Sequence, residues 1–385
     1  MRHAIHIDYS PQKMESSRRR MEALGDRRYV DRAAVLYCLV PRYFAPLFGL
    51  RYIDFFKDVE THYYWQLQFA KYRIENIPED SCGGPTIHVH PYFDNVVPPS
   101  AQGARIGWVE DGPPRAIPVI HTVEQMERFE VARPDAALRG KTIQWWHQMQ
   151  DLAAQTQVTF GRTPGRVDVG VLGMGGLSPH MLAIDLVGED FYWWMLEYPQ
   201  PCHRFLQKLM QGEILAEELC RTVDPRPRSG YSLAEDSAQV MSPDLFREFC
   251  VPYSAAMFDR LGAGMKFGRG LHMCGNSAHL LGILRDELKI TSFDVFGYLV
   301  PPKVAAQALG GRCQLWGNLN PMLLQTGSKA QVKAAAMECL DALGPCGGFV
   351  LGDGANVCPG TPLESFRAVM EAAEEFGLGN GRLPQ

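Results

Sequence analysis

The stretch of this chain best suited to chemistry is His272-Met-Cys274. In a strand, residues two apart project from one face, so the imidazole and the thiol point the same way. Neutral imidazole and thiolate are borderline-soft donors that suit Zn²⁺, at about 2.0–2.3 Å from the ion. Cys358, in the Gly- and Pro-containing loop that follows the last expected strand, is placed to add a third donor. One His and two Cys leave a position of a four-coordinate zinc open for water, an acid or a substrate thiol. Because zinc makes a bound thiol available as thiolate near neutral pH, the matching chemistry is alkyl transfer to or from sulfur. Zinc peptide hydrolysis goes with nitrogen and carboxylate ligands, and the chain contains no H-E-x-x-H. Asp294, ending the next expected strand, offers a weak fourth ligand or a base. Its plainer reading is a capping or salt-bridge carboxylate.

These groups act together only if the fold gathers them. From residue 229 onward the chain reads as five strand–helix units with short connections: strands at 229–234, 268–274, 290–296, 312–316 and 348–351, each followed by a helical pattern. Ser242-Pro243 has the N-cap and first-turn residues of a helix start. Such alternation implies parallel strands joined by right-handed crossovers. At this length it predicts a closed (β/α)8 TIM barrel with additional N-terminal helices. The working residues of such a barrel lie at and after the C-terminal strand ends. Those positions hold Asp94, Glu235, Asp236, His272, Cys274, Asp294, Asn318, Asp353 and Cys358. Cys339, inside the helical pattern 328–343, reads as core.

Upstream, residues 1–80 are helical in texture, with a basic surface helix over 15–25 and an apolar stripe over 54–77. Short strands are expected at 87–91, 103–109 and 167–172. Gly173-Met-Gly-Gly176 lacks the full G-x-G-x-x-G of a dinucleotide site and reads as a tight turn. No linker of disordered composition interrupts the chain. A single domain over 1–385 is expected, with 1–80 as a helical extension packed on the barrel.

The 385 residues carry 38 Lys and Arg against 43 Asp and Glu, a net charge of −5, with 46% apolar residues. This balance excludes a disordered chain and gives no basic excess for nucleic acid. No window is long and apolar enough for a membrane span, and the start of the chain lacks a secretory apolar region. The ten cysteines are therefore expected to be reduced thiols of a cytoplasmic protein.

Residues 94–377 resemble the uroporphyrinogen decarboxylase-like superfamily, and within it the zinc-dependent corrinoid methyltransferases of the methylcobamide:coenzyme M type. The resemblance is carried by the segments 93–103, 110–114 and 235–249, by His272-Met-Cys-Gly-Asn276 and Trp316-Gly-Asn-Leu-Asn-Pro321, and by 359–377. It implies zinc held by His272, Cys274 and Cys358. It also implies a methyl group moved between a corrinoid cobalt and a sulfur or oxygen substrate. The corrinoid would arrive on a carrier protein or free, since the chain shows no carrier domain of its own. Asp294 and Asp236 are the expected catalytic carboxylates; Asp94, Glu235, Asn276, Asn318 and Asp353 are the expected substrate contacts. The alternative on the same barrel is a metal-free decarboxylase, in which Asp94 and Asp236 manage charge. Leu39-Val-Pro-Arg-Tyr43 does not reproduce the arginine-rich signature of the true decarboxylase. A corrinoid- or porphyrin-binding protein without catalysis is the non-enzymatic reading.

Overall fold

The computed structural model describes residues 4–379; residues 1–3 and 380–385, the two ends of the expected domain, lie outside them. The strand–helix alternation of the C-terminal half is realised and extended into a (β/α)8 barrel. Its strands are β1 (Ala34–Val35), β2 (Thr86–Val89), β3 (Thr163–Val169), β4 (Gly230–Ala234), β5 (Phe267–His272), β6 (Ser292–Asp294), β7 (Gln314–Leu319) and β8 (Phe349–Asp353). Six of them form one sheet in the order β1-β8-β7-β6-β5-β4, and β2 pairs with β3 in a second arc. All of these ladders are parallel.

Two seams join the arcs. Between β3 and β4, Leu177 bridges to Ala234, and the Ser178 amide donates to the Ala234 carbonyl at 3.0 Å. A Cβ on Gly176 would collide with the Ser232 carbonyl, so this approach requires glycine. The Gly173–Gly176 cluster thus serves a close strand contact and turn. On the other side, Asp80, in the segment leading into β2, is bonded to β1: its amide donates to the Val35 carbonyl at 2.8 Å, and its carboxylate accepts from the Val35 amide at 2.9 Å. Arg32 and Arg20 neutralise that buried carboxylate.

Burial explains the strand composition. Every residue of β8 is buried, as expected for a strand covered on both faces. The helices start where Ser-Pro pairs cap them: Ser178 Oγ accepts from the Met181 amide and Ser242 Oγ from the Leu245 amide. Ser328 and Gln331 form a full capping box at the start of the helix Lys329–Leu343.

The N-terminal region departs from the sequence reading. Residues 1–80 are not wholly helical: Ala34–Val35 is a barrel strand, and Ala4–Ile7 pairs with a strand at Gln157–Phe160. Two buried residues are too few for a period-2 pattern to show. The stripe over 54–77 divides into a 3₁₀ turn, Tyr52–Phe56, and a helix, Val59–Asn76, capped by Asp58. The strand expected at 167–172 instead spans Thr163–Val169, where it is held on both sides by β2 and by Gln157–Phe160. No helix among the described residues is long and apolar enough to cross a membrane.

Candidate metal centre

Ladder register places the key residues in one row. Ala234, His272 and Asp294 pair across β4, β5 and β6, so the last side chains of β5 and β6 project side by side from one face. Asp236 follows Ala234 by two residues and begins a 3₁₀ turn. Its Oδ1 accepts the Cys274 amide at 2.7 Å, which ties the loop after β5 to the loop after β4. Nearby, Gln239 accepts the Asn276 amide at 3.2 Å, a second tie between the same loops.

The result is a half-buried donor cluster. One ligand atom each from Asp236, His272 and Cys274 lies within 4.8 Å of the other two. His272 Nε2 faces Asp236 Oδ1 at 3.7 Å, and Nδ1 faces Asp294 Oδ2 at 3.6 Å. The imidazole and the Asp236 side chain are each 24% exposed, so solvent or a substrate can reach them. Burial alone would lower the imidazole pKa. Asp294 and Cys274 beside the ring, and the charge of Asp236, outweigh burial and hold it up at about 11. This point of the barrel mouth therefore favours a positive charge. Nitrogen, sulfur and carboxylate donors converging on such a point fit a divalent ion of the zinc class. Asp294 stands on the opposite side of the ring from Asp236, the position from which a carboxylate orients a metal-bound histidine.

The other candidates divide. Cys358 lies in the loop after β8, outside the three-residue cluster, with its sulfur 4.0 Å from that of Met322. Asp94 accepts two tyrosine hydroxyls, from Tyr52 and Tyr92, both at 2.8 Å, and holds a left-handed backbone with φ 49°. Asn318 is buried and spends its amide on the Gly297 and Val300 carbonyls, at 3.0 and 2.6 Å. These bonds brace the loop after β6. Asp353 is fully buried; Oδ1 accepts the Cys38 amide at 2.9 Å, Oδ2 has no hydrogen-bond partner among the described residues, and burial pushes its carboxyl up to about 7. Asn276 sits at the mouth, where its Oδ1 accepts the Ala278 amide at 3.3 Å.

Glu235 turns away from the mouth. It is buried, and Oε1 meets His180 Nδ1 at 2.9 Å. With Cys250 the pair makes a second three-donor cluster, all of it buried. Burial, then the Glu235 charge, pushes the Cys250 thiol well above its ordinary value. Sequence reasoning missed His180 and Cys250. His180 is a helix residue after Ser178-Pro179 and Cys250 ends a helix, and neither position marks a ligand.

A parallel (β/α)8 barrel with reactive side chains gathered at the C-terminal mouth is the architecture of a barrel enzyme. The chain belongs to the uroporphyrinogen decarboxylase (URO-D) family, whose model matches residues 88–376. It is 25% identical over 247 residues to a uroporphyrinogen decarboxylase of Salinibacter ruber, a match covering 60% of this chain and 62% of that one. It is 30% identical over 208 residues to a methylated-thiol–coenzyme M methyltransferase of Methanosarcina mazei, covering 51% of each. The chain thus spans about half to three-fifths of the length of these relatives. In fold it is similar to a solved methyltransferase from Methanosarcina mazei, with a TM-score of 0.68 at 20% identity, over 94% of this chain and 99% of that one.

Proposed function

We propose that this protein is a zinc-dependent methyltransferase moving a methyl group between a corrinoid and a sulfur or oxygen substrate. The observation that carries the reading is the convergence of His272, Cys274 and Asp236 at the reachable mouth of the barrel. His272 and Cys274 hold the ion and Asp236 lies beside them; Cys358, which stands outside this cluster against Met322, is the further donor that a shift of the loop after β8 would bring in. When bound, zinc would keep a substrate sulfur as thiolate at neutral pH. The chain's own residues do the rest. Asp294 holds the His272 ring with Nε2 toward the other donors. Asp236 fixes the backbone of Cys274, and Asp94, steadied by Tyr52 and Tyr92, presents a fixed carboxylate. The corrinoid supplies the cobalt chemistry and arrives on a carrier protein or free. The methyltransferase relative supports this reading, and ten unpaired cysteines suit a cytoplasmic protein.

The test is a metal count on purified protein, paired with the spectrum of methylcobalamin mixed with enzyme and a thiol acceptor. Wild type is expected to retain zinc and to demethylate the corrinoid. His272→Ala and Cys274→Ala are expected to lose the ion and at least about 100-fold in rate, more than loss of a supporting residue costs. Wild type without zinc, and variants that match it in activity, would overturn the reading.

A second reading, a metal-free decarboxylase, has one observation in its favour: the Asp94 carboxylate held between two tyrosine hydroxyls. It expects decarboxylation of a porphyrinogen that a chelator leaves unchanged and that Asp94→Asn abolishes.

A further inference from the structure

The His180–Glu235–Cys250 cluster lies off the mouth, packed between the end of β4 and the helices Pro179–Val187 and Pro243–Phe249. His180 comes from the first turn of the earlier helix, and Cys250 caps the later one. The side chains of His180 and Glu235 are 0% and 2% exposed. No described group bonds to Glu235 Oε2 or to His180 Nε2. A buried carboxylate left half-unsatisfied is costly, so such a pair calls for a further partner.

The donor types indicate what that partner is. One ligand atom each of His180, Glu235 and Cys250 lies within 4.8 Å of the other two, and all three residues are buried. Imidazole, carboxylate and thiolate are the donors of a zinc-class ion. Cys250 Sγ also stands 3.8 Å from the thioether of the buried Met241, the distance of a thiol–thioether hydrogen bond. Protein donors sealed from solvent are the mark of a structural site, not a catalytic one.

We propose that His180, Glu235 and Cys250 form a second metal site, structural and sealed from solvent, for a thiophilic first-row ion of the zinc class. It would join the end of β4 to two helices of the outer layer and hold the residue next to Asp236 in place. The assignment is independent of the methyltransferase reading.

The full chain is loaded with Zn²⁺, dialysed and its metal counted. Wild type is expected to hold two ions. The triple variant His272→Ala/Cys274→Ala/Cys358→Ala, which leaves the buried cluster intact, is expected to hold one. Reloaded with Co²⁺, the triple variant should show a thiolate-to-cobalt charge-transfer band, which Cys250→Ser then removes. A triple variant with wild-type circular dichroism, no bound ion and no such band would overturn the proposal, whether or not Cys250→Ser folds. One ion in wild type that persists in the triple variant supports the buried site and counts against the mouth. One ion that the triple variant loses does the reverse.

Discussion

Glu235 and Asp236 are consecutive residues at the end of β4, and they serve opposite sides of the barrel wall. Asp236 turns to the mouth and meets His272 and Cys274; Glu235 turns to the helical layer and meets His180 and Cys250. The donor types are the same, a carboxylate, an imidazole and a thiol. What differs is water: the first set is half-buried, the second is sealed. A cluster that a substrate can reach can exchange a ligand and do chemistry. A sealed one can contribute only to the stability and rigidity of what surrounds it. Accessibility, more than ligand identity, therefore separates the roles of two otherwise matching sites.

The comparison breaks most sharply on Glu235→Ala set against Asp236→Ala. Truncating Glu235 strips the sealed His180 of its carboxylate and leaves a cavity, a loss of about 3 kcal/mol or more in urea unfolding. Asp236 is partly exposed and its ion pair with His272 is screened, so its removal is expected to cost about 1 kcal/mol or less, beyond its bond to Cys274. Activity should respond in the opposite sense at Asp236, falling well beyond what its small stability change explains. Equal stability losses at the two positions would show that the barrel wall does not divide them as described.

Asp294→Asn sharpens the mouth side alone. The amide keeps the shape of the side chain and removes the charge that faces His272 Nδ1. Zinc affinity is expected to fall about 10–100-fold, as for other partners of a metal-bound histidine, with little change in Tm. An unchanged affinity would mean that Asp294 does not orient the ring.

Much of this arrangement was legible in the sequence, and the rest was hidden for identifiable reasons. The strand ends near Ala234, His272, Asp294 and Asp353 could be read because the C-terminal half alternates cleanly and Ser-Pro pairs mark its helix starts. His272 does end its strand, but β5 stops there: Cys274, expected on the same strand, lies in the loop beyond it, held by the bond from its amide to Asp236. Strand β1 escaped because two residues carry no period. Asp236 was on the short list as a strand-end acid, yet its place beside the imidazole depends on one backbone hydrogen bond from Cys274, 38 residues away. The sequence places Glu235 among the substrate contacts, but it faces the helices; a chain leaving a strand into a turn no longer obeys strand alternation. Asn318 shares that expectation, and both of its amide hydrogens brace a neighbouring loop.

The smallest expected effect tests whether sealing also governs an acid on the far side of the barrel. Asp353 ends β8, fully buried, and burial raises its carboxyl to about 7, against about 3.9 in an unfolded chain. Between those values the native protein holds a proton that the unfolded chain has lost, so stability falls as pH rises from about 4 to 7 and is level above. Asp353→Asn preserves the oxygen that accepts the Cys38 amide and carries no charge at any pH. Its unfolding profile should lose this slope, leaving the variant more stable than wild type above pH 7 and less distinct from it below pH 4. Urea titrations at a series of pH values measure the difference. A wild-type profile that rises between pH 4 and 7 and is matched by the variant would place Asp353 with the mouth residues, reached by water, and not with Glu235.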